Sequence, residues 1–209
     1  MENDYIDIFH EYSIPFIVLY GYTNRPDATY INIDMKQGGY DATKLMTNQG
    51  LERLLYIGVL DKHNSAPYLP KTEQDRIDGY TEAVKDPKVV FLSRDFGDMG
   101  DGAIEGAISG YDPIDGFVAC WATIGIQLSS WIKSTGRRAN AKIIALDYLP
   151  FMEYTNKDVL SMMLPFYELS KLGFKTFIKK LQTSAGKNEI IYCKCEFFQS
   201  QSNLSDPML

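Results

Sequence analysis

Ile143-Ile144-Ala145-Leu146-Asp147 is the stretch on which the fold turns. Four apolar residues end on an acid. A run this short and this apolar reads as a strand buried on both faces, as in a parallel sheet. A carboxylate cannot stay in such a core, so Asp147 has to turn outward where the strand ends. Upstream, Ile124, Leu128 and Trp131 recur at helical spacing before Gly136, a helix stop. Before that helix, Phe117 to Cys120 is another short apolar strand. Strand, helix and strand in succession is the repeating unit of a parallel sheet.

The alternation extends in both directions. Strands are predicted at Phe16 to Tyr20, Tyr30 to Asp34, Leu54 to Leu60, Val89 to Leu92, Val159 to Met163 and Glu189 to Phe198. Helices are predicted at Asp4 to Tyr12, from Gly38 and Gly39 to about Gly50, after an N-cap at Thr72, and at Ala103 to Ile108. Phe166 to Leu181 is predicted as a further helix, with Leu169, Gly173, Phe177 and Leu181 along one side. The fold class is α/β with a doubly wound, mostly parallel sheet. No internal repeat or low-complexity block interrupts it.

Composition narrows the function. The chain has 209 residues, 45% hydrophobic and 23% charged, enough for one or two domains with a real core. Lys and Arg number 21 against 27 Asp and Glu, a net charge of −6. That balance argues against nucleic-acid binding by these residues, because phosphate contacts need clustered cations. No apolar run approaches the roughly 20 residues of a membrane helix. The acidic N-terminus has no secretory n-region or h-region, so a cytoplasmic location and no membrane partner are expected. Cys193 and Cys195 alternate and should share a sheet face as reduced strand cysteines; Cys120 is the third. His10 and His63 have no ligand-like spacing to a cysteine, so no metal is expected.

Gly97, Gly100, Gly102 and Gly106 do not have dinucleotide-loop spacing, and Asp98 and Asp101 would repel phosphate. There is no Walker A run, no Gly-x-Ser-x-Gly elbow and no evident nucleophile–base pair, so neither a cofactor nor catalysis is expected.

Ligands of doubly wound sheets sit beyond the carboxyl ends of the strands, at the point where strand order reverses. That rule directs attention beyond Leu92, to Ala119 and Cys120, and to Asp147. Asp147 could accept hydrogen bonds from ligand hydroxyls, or act as a local acceptor for residues 148 to 151. Arg76 lies early in its helix, where a cation opposes the helix dipole. It either binds a ligand or pairs with Glu73 or Asp75 on the surface. Phe96 could stack on a sugar or base face, or could cover the sheet edge as a core ring. Tyr20 and Asp34, each closing its predicted strand, complete the set with Trp121.

The ordered features resemble the LacI/GalR family and its periplasmic-binding-protein-like type I fold. Ile14-Pro15-Phe16-Ile17-Val18 is similar to the family's "iPvV" strand. Ile31-Asn32-Ile33-Asp34, with Gly38-Gly39 and Ala42, resembles its "v-x-x-D-n-x-x-g-x-x-A" crossover. Gly50 through Ile57 resembles "GHrrIafi", with Leu51 where His is usual. Arg76-Ile77-Asp78-Gly79-Tyr80 resembles "R-x-x-G-y", Ile143 through Asp147 resembles "vvgfD", and Glu168-Leu169 resembles the start of "elg-x-x-a". The resemblance runs from residue 13 to 198.

The resemblance implies two doubly wound lobes and a sugar or related small polar effector. It makes Arg76 the cleft arginine, Phe96 the aromatic packed on the ligand, and Asp147 the acid for ligand hydroxyls. Ala119-Cys120 stand where the family has Asn-Asp, which removes a polar contact, and Trp121 beside them reshapes the cleft. The family's helix-turn-helix headpiece and first strand–helix–strand have no counterpart here. DNA contact would therefore fall to a headpiece outside this chain. The expected first lobe is 1–34 with 158–181, incomplete and with an open sheet edge. The second lobe is 35–157 with 182–200, followed by a flexible tail at 201–209. The open edge and the family's side-by-side lobes imply a homodimer. The rival readings are a solute-binding protein of a sugar transporter and a doubly wound enzyme.

Overall fold

The computed structural model describes residues 2–21, 25–60, 70–93, 101–182 and 188–198. Phe96, His63, Gly97, Gly100 and the tail at 201–209 lie outside these residues. The chain divides into two compact units, residues 1–34 with 164–195 and residues 35–163 with 196–209.

The larger unit is a six-stranded sheet. Its strands are β3 (Leu54–Leu60), β4 (Lys88–Ser93), β5 (Gly116–Ala119), β6 (Lys142–Ala145), β7 (Val159–Met163) and β9 (Glu196–Phe198). Their spatial order is β4-β3-β5-β6-β7-β9. All neighbours run parallel except β7 and β9. From β3 the chain moves outward to β4, then returns past β3 to β5, so the winding reverses between β3 and β5. Right-handed crossovers then place helices on both faces. Helix α3 (Lys71–Ala83) follows β3 and packs on α2 (Met35–Thr47), while α4 (Asp101–Ile108) and α5 (Ala122–Thr135) follow β4 and β5. Covered on both faces, β5 is buried throughout, and β3 up to its last residue, which is why their sequences are unbroken apolar runs.

Helices α2 and α3 meet backbone to backbone. A Cβ on Gly79 would lie 2.1 Å from the Lys36 carbonyl oxygen, and one on Gly39 would lie 2.6 Å from that of Arg76. Helix α2 starts at Met35, so Gly38 and Gly39 lie within it and do not open it, and Gly39 is at the contact with α3. The N-cap of α3 is Pro70, whose carbonyl accepts from the amides of Glu73 and Gln74; Thr72 lies inside the first turn. Helix α5 stops at Gly136, at φ +65°.

The smaller unit holds three strands in the order β1-β2-β8, all parallel: β1 (Val18–Leu19), β2 (Tyr30–Ile33) and β8 (Ile190–Cys193). Its helices are α1 (Glu2–Glu11) and α7 (Phe166–Gln182). Ile6, Ala28 and Tyr30 form a small buried cluster flanked by Phe16 and Val18. Arg25 is hydrogen-bonded to Asp27, at 2.6 and 2.9 Å, and to Asp7. The guanidinium pulls the Asp27 carboxyl down to about 2.

Three further expectations change. The stretch Glu189 to Phe198 is two strands in different sheets, β8 beside β2 and β9 beside β7. Cys193 ends β8 and Cys195 lies beyond it, so the two cysteines do not share a strand. The lobe boundaries move as well. Residues 159–163 pair with β6 in the larger unit, and 190–193 pair with β2 in the smaller one. Local alternation marks a strand but does not say which sheet receives it.

Candidate functional site

The larger unit concentrates buried polar chemistry around the reversal between β3 and β5. Tyr56 in β3 is fully buried, and its hydroxyl donates to Glu73 Oε1 at 2.8 Å. Glu73 and Arg76, one turn apart on α3, are both almost completely buried. Arg76 Nη1 donates to Glu73 Oε2 at 3.4 Å. Gly58 lies beside this pair: a Cβ there would fall 2.7 Å from the Phe91 ring and 3.1 Å from Glu73 Oε1. The Gly39 and Gly79 contacts hold α3 at the depth that buries this face.

Asp147, just past β6, receives the amide of Ala122, the first residue of α5, on Oδ1. It therefore caps a helix from another strand, and no hydrogen bond to residues 148 to 151 holds it. Oδ2 takes no hydrogen bond from the described residues. Burial raises the Asp147 carboxyl above its ordinary value, against the Ala122 amide and the Arg76 charge, which lower it. Burial also raises Glu73, with Arg76 and the Tyr56 hydroxyl opposing. The Cys120 thiol is pushed far up, first by burial and then by the negative charge of Glu73. These shared influences connect Tyr56, Glu73, Arg76, Cys120 and Asp147 as one electrostatic cluster. It offers guanidinium donors and carboxylate acceptors, the complement of a polyhydroxylated ligand. Burial pushes both the Cys120 thiol and the Tyr56 phenol up, toward their neutral forms.

Of the expected residues, Arg76 and Asp147 enter this cluster. Ala119 is buried in β5 with its carbonyl taken by Leu146, so it offers no polar group. Trp121 is the half-buried N-cap of α5. Tyr20 and Asp34 belong to the smaller unit. Tyr20 follows β1 at φ +55° with its ring edge-on to Phe166 at 5.7 Å. Asp34 follows β2, its amide bonded to the Cys193 carbonyl. Sequence reasoning missed Tyr56, and weighed Glu73 only as a surface partner of Arg76. The available signal was a phenol in the middle of a buried strand, which needs a buried partner.

A cavity of about 680 Å³ opens at the amino ends of β3 and β4, lined by Lys44, Arg53, Ala83, Lys88 and Tyr111 among others. It lies at the opposite end of the sheet from the cluster. Its cations are on the surface, Arg53 being bound to Asp115. Among the described residues, no group of three or more His, Cys, Asp or Glu could hold a metal ion. No described helix is long and apolar enough to cross a membrane.

No family model and no curated protein matches the sequence. Solved structures do match. A LacI family transcriptional regulator from Enterococcus faecalis V583 with bound ribose superposes with a TM-score of 0.74 at 16% identity, covering 95% of this chain and 72% of that one. A counterpart from Enterococcus faecium, also with ribose, gives 0.72 at 17% identity over 94% and 73%. The cellobiose complex of the transcriptional regulator CelR gives 0.73 at 15% identity over 94% and 61%. The chain has the fold of LacI-family regulators. In the larger unit the buried Arg76–Glu73–Tyr56 chain lies at β3, beside the reversal between β3 and β5, where doubly wound sheets receive ligands, and Asp147 lies just past β6.

Proposed function

We propose that this chain is the effector-binding part of a LacI-type transcriptional regulator, and that it binds a sugar or a related small polar ligand. The observation that carries the reading is the buried, hydrogen-bonded Arg76–Glu73–Tyr56 chain beside β3, with the half-buried Asp147 just past β6 in electrostatic reach of Arg76. A protein that needed only stability would fill this position with apolar side chains, because buried ion pairs seldom add net stability. Ribose and cellobiose in regulators of the same fold support the ligand class. Binding is non-catalytic. Effector occupancy biases a separate DNA-binding headpiece, and the protein acts in the cytoplasm as a homodimer.

A thermal-shift screen of ribose, other pentoses, hexoses, cellobiose and purines tests this. A ligand that binds only the folded state raises apparent stability by mass action. A saturable rise with at least one sugar is expected, and no response across the screen would contradict the reading. The net charge of −6 further predicts no sequence-specific DNA affinity for these residues alone.

A further inference from the structure

An arginine in a ligand site is the natural anchor for a phosphate or carboxylate, which it grips with two parallel hydrogen bonds. Here part of that capacity is already engaged. Glu73 lies one turn before Arg76 on α3 and accepts from its guanidinium at 3.4 Å. Glu73 is not a passing surface partner. It is 4% exposed, its other oxygen is fixed by the Tyr56 hydroxyl at 2.8 Å, and Gly58 lies beside it. Asp147 adds a second carboxylate within the electrostatic reach of Arg76. Among the described residues, the cluster therefore sets two carboxylates against one guanidinium.

We infer that Glu73 is a specificity-determining residue, which makes this site select uncharged polyhydroxyl ligands over phosphorylated or carboxylated ones. The inference rests on the effector reading above and deepens it. An incoming anion would have to share Arg76 with the Glu73 carboxylate and lie beside it, and like charges in a buried site repel strongly. A hydroxyl suffers no such penalty. It can donate to a carboxylate or accept from a guanidinium donor outside the Glu73 contact. Tyr56 acts as the positioning residue, holding Glu73 against Arg76.

The experiment is titration calorimetry of the whole chain near neutral pH with ribose, ribose 5-phosphate and inorganic phosphate. Wild type should bind neither anion more tightly than ribose. Glu73→Gln should tighten both anions by about tenfold or more relative to wild type, because Arg76 is released. The double variant Glu73→Gln/Arg76→Ala should lose that gain. Tyr56→Phe should shift preference the same way by less, and it serves if Glu73→Gln does not fold. Wild type preferring either anion to ribose, a folded variant with no anion gain, or a gain that survives Arg76→Ala overturns the inference. The gain is read on phosphate directly, so ribose need not be the effector. If no sugar binds wild type yet the anion gain appears through Arg76, the effector reading fails and the inference stands. If a neutral sugar binds and the substitution changes nothing, the reverse holds.

Discussion

The two units are built from the same parts to different standards of burial. In the larger unit, β5 is closed off on every side, with Phe117 and Val118 at zero exposure, and all but the last residue of β3 is buried. In the smaller unit, β1 is two residues long and β8 is buried only at Cys193. Large apolar side chains reach the surface there. Leu19, Ile190 and Tyr192 project from the strands, and Tyr167, Phe174, Ile178 and Leu181 lie along one side of α7. A sheet stabilised by area removed from water needs cover on both faces; in the smaller unit the central strand β2 has it, buried throughout, while its neighbours β1 and β8 do not. The polar cluster sits in the unit that can hold an arginine and two carboxylates in fixed positions.

Paired substitutions sharpen this contrast. Phe117→Ala, at a fully buried position in β5, should cost about 3–5 kcal/mol in denaturant unfolding. Leu19→Ala, at a 42% exposed position in β1, should cost under about 1 kcal/mol. Similar costs at the two sites would erase the distinction between the units.

A second pair concerns glycines. A Cβ on Gly79 meets the backbone of α2, 2.1 Å from the Lys36 oxygen and 2.6 Å from the Tyr40 nitrogen. Backbone cannot step aside, so Gly79→Ala should cost about 2–3 kcal/mol and pry α3 outward. A Cβ on Gly173 of α7 meets side chains, the tip of the half-exposed Leu19 at 2.6 Å and that of Ile17 at 3.5 Å. Leu19 can turn away, and the gain in helix propensity offsets the shift, so Gly173→Ala should change stability by less than about 1 kcal/mol.

The smallest effects are those of pH. Asp115 is held down to about 2 by the Arg53 side chain and by the amides of Arg53 and Glu52. The folded state then binds fewer protons than the unfolded chain. Its contribution is present above the ordinary aspartate value of 3.8 and is lost as pH falls toward about 2. Glu73 has the opposite sign. Its raised value means the folded state holds the proton more tightly, so its contribution is fullest at low pH and declines as pH rises above the ordinary glutamate value. Thermal unfolding against pH should lose that decline in Glu73→Gln and lose the acid-side rise in Asp115→Asn. Unchanged profiles would mean neither carboxyl is coupled to folding.

Much of the larger unit was legible because its strands are buried on both faces and its helices punctuated. The predicted Leu54 to Leu60 strand coincides with β3, and Gly136 ends α5 as expected. Helix α7 was harder to read, because apolar residues occur around much of its circumference. Leu169 and Gly173 are buried as predicted, but Leu181, on the same predicted face, is half exposed. Residues 159–163 and 190–193 were sorted between lobes by position along the chain, and pairing across the sheet decides otherwise. At the candidate site, Asp147 was legible as an acid closing an apolar strand, and Arg76 as a cation misplaced against a helix dipole. Glu73 was not, because a Glu three residues before an Arg looks like any surface pair until the fold buries both.

The central claim is that Arg76 and Asp147 bind an effector in the larger unit. Its most direct test is calorimetric titration of wild type, Arg76→Ala and Asp147→Ala with whichever sugar shifts the unfolding temperature in the screen. Arg76→Ala leaves the buried Glu73 carboxylate uncompensated and Asp147→Ala removes an acceptor for ligand hydroxyls, so each should lose about 2 kcal/mol or more of binding, roughly thirtyfold in Kd. Asp147→Ala also removes the cap on Ala122 and should lower stability by about 1 kcal/mol, a loss read separately in unfolding. Weakened binding in both variants while the fold persists is the predicted result; undiminished affinity in both would contradict the account.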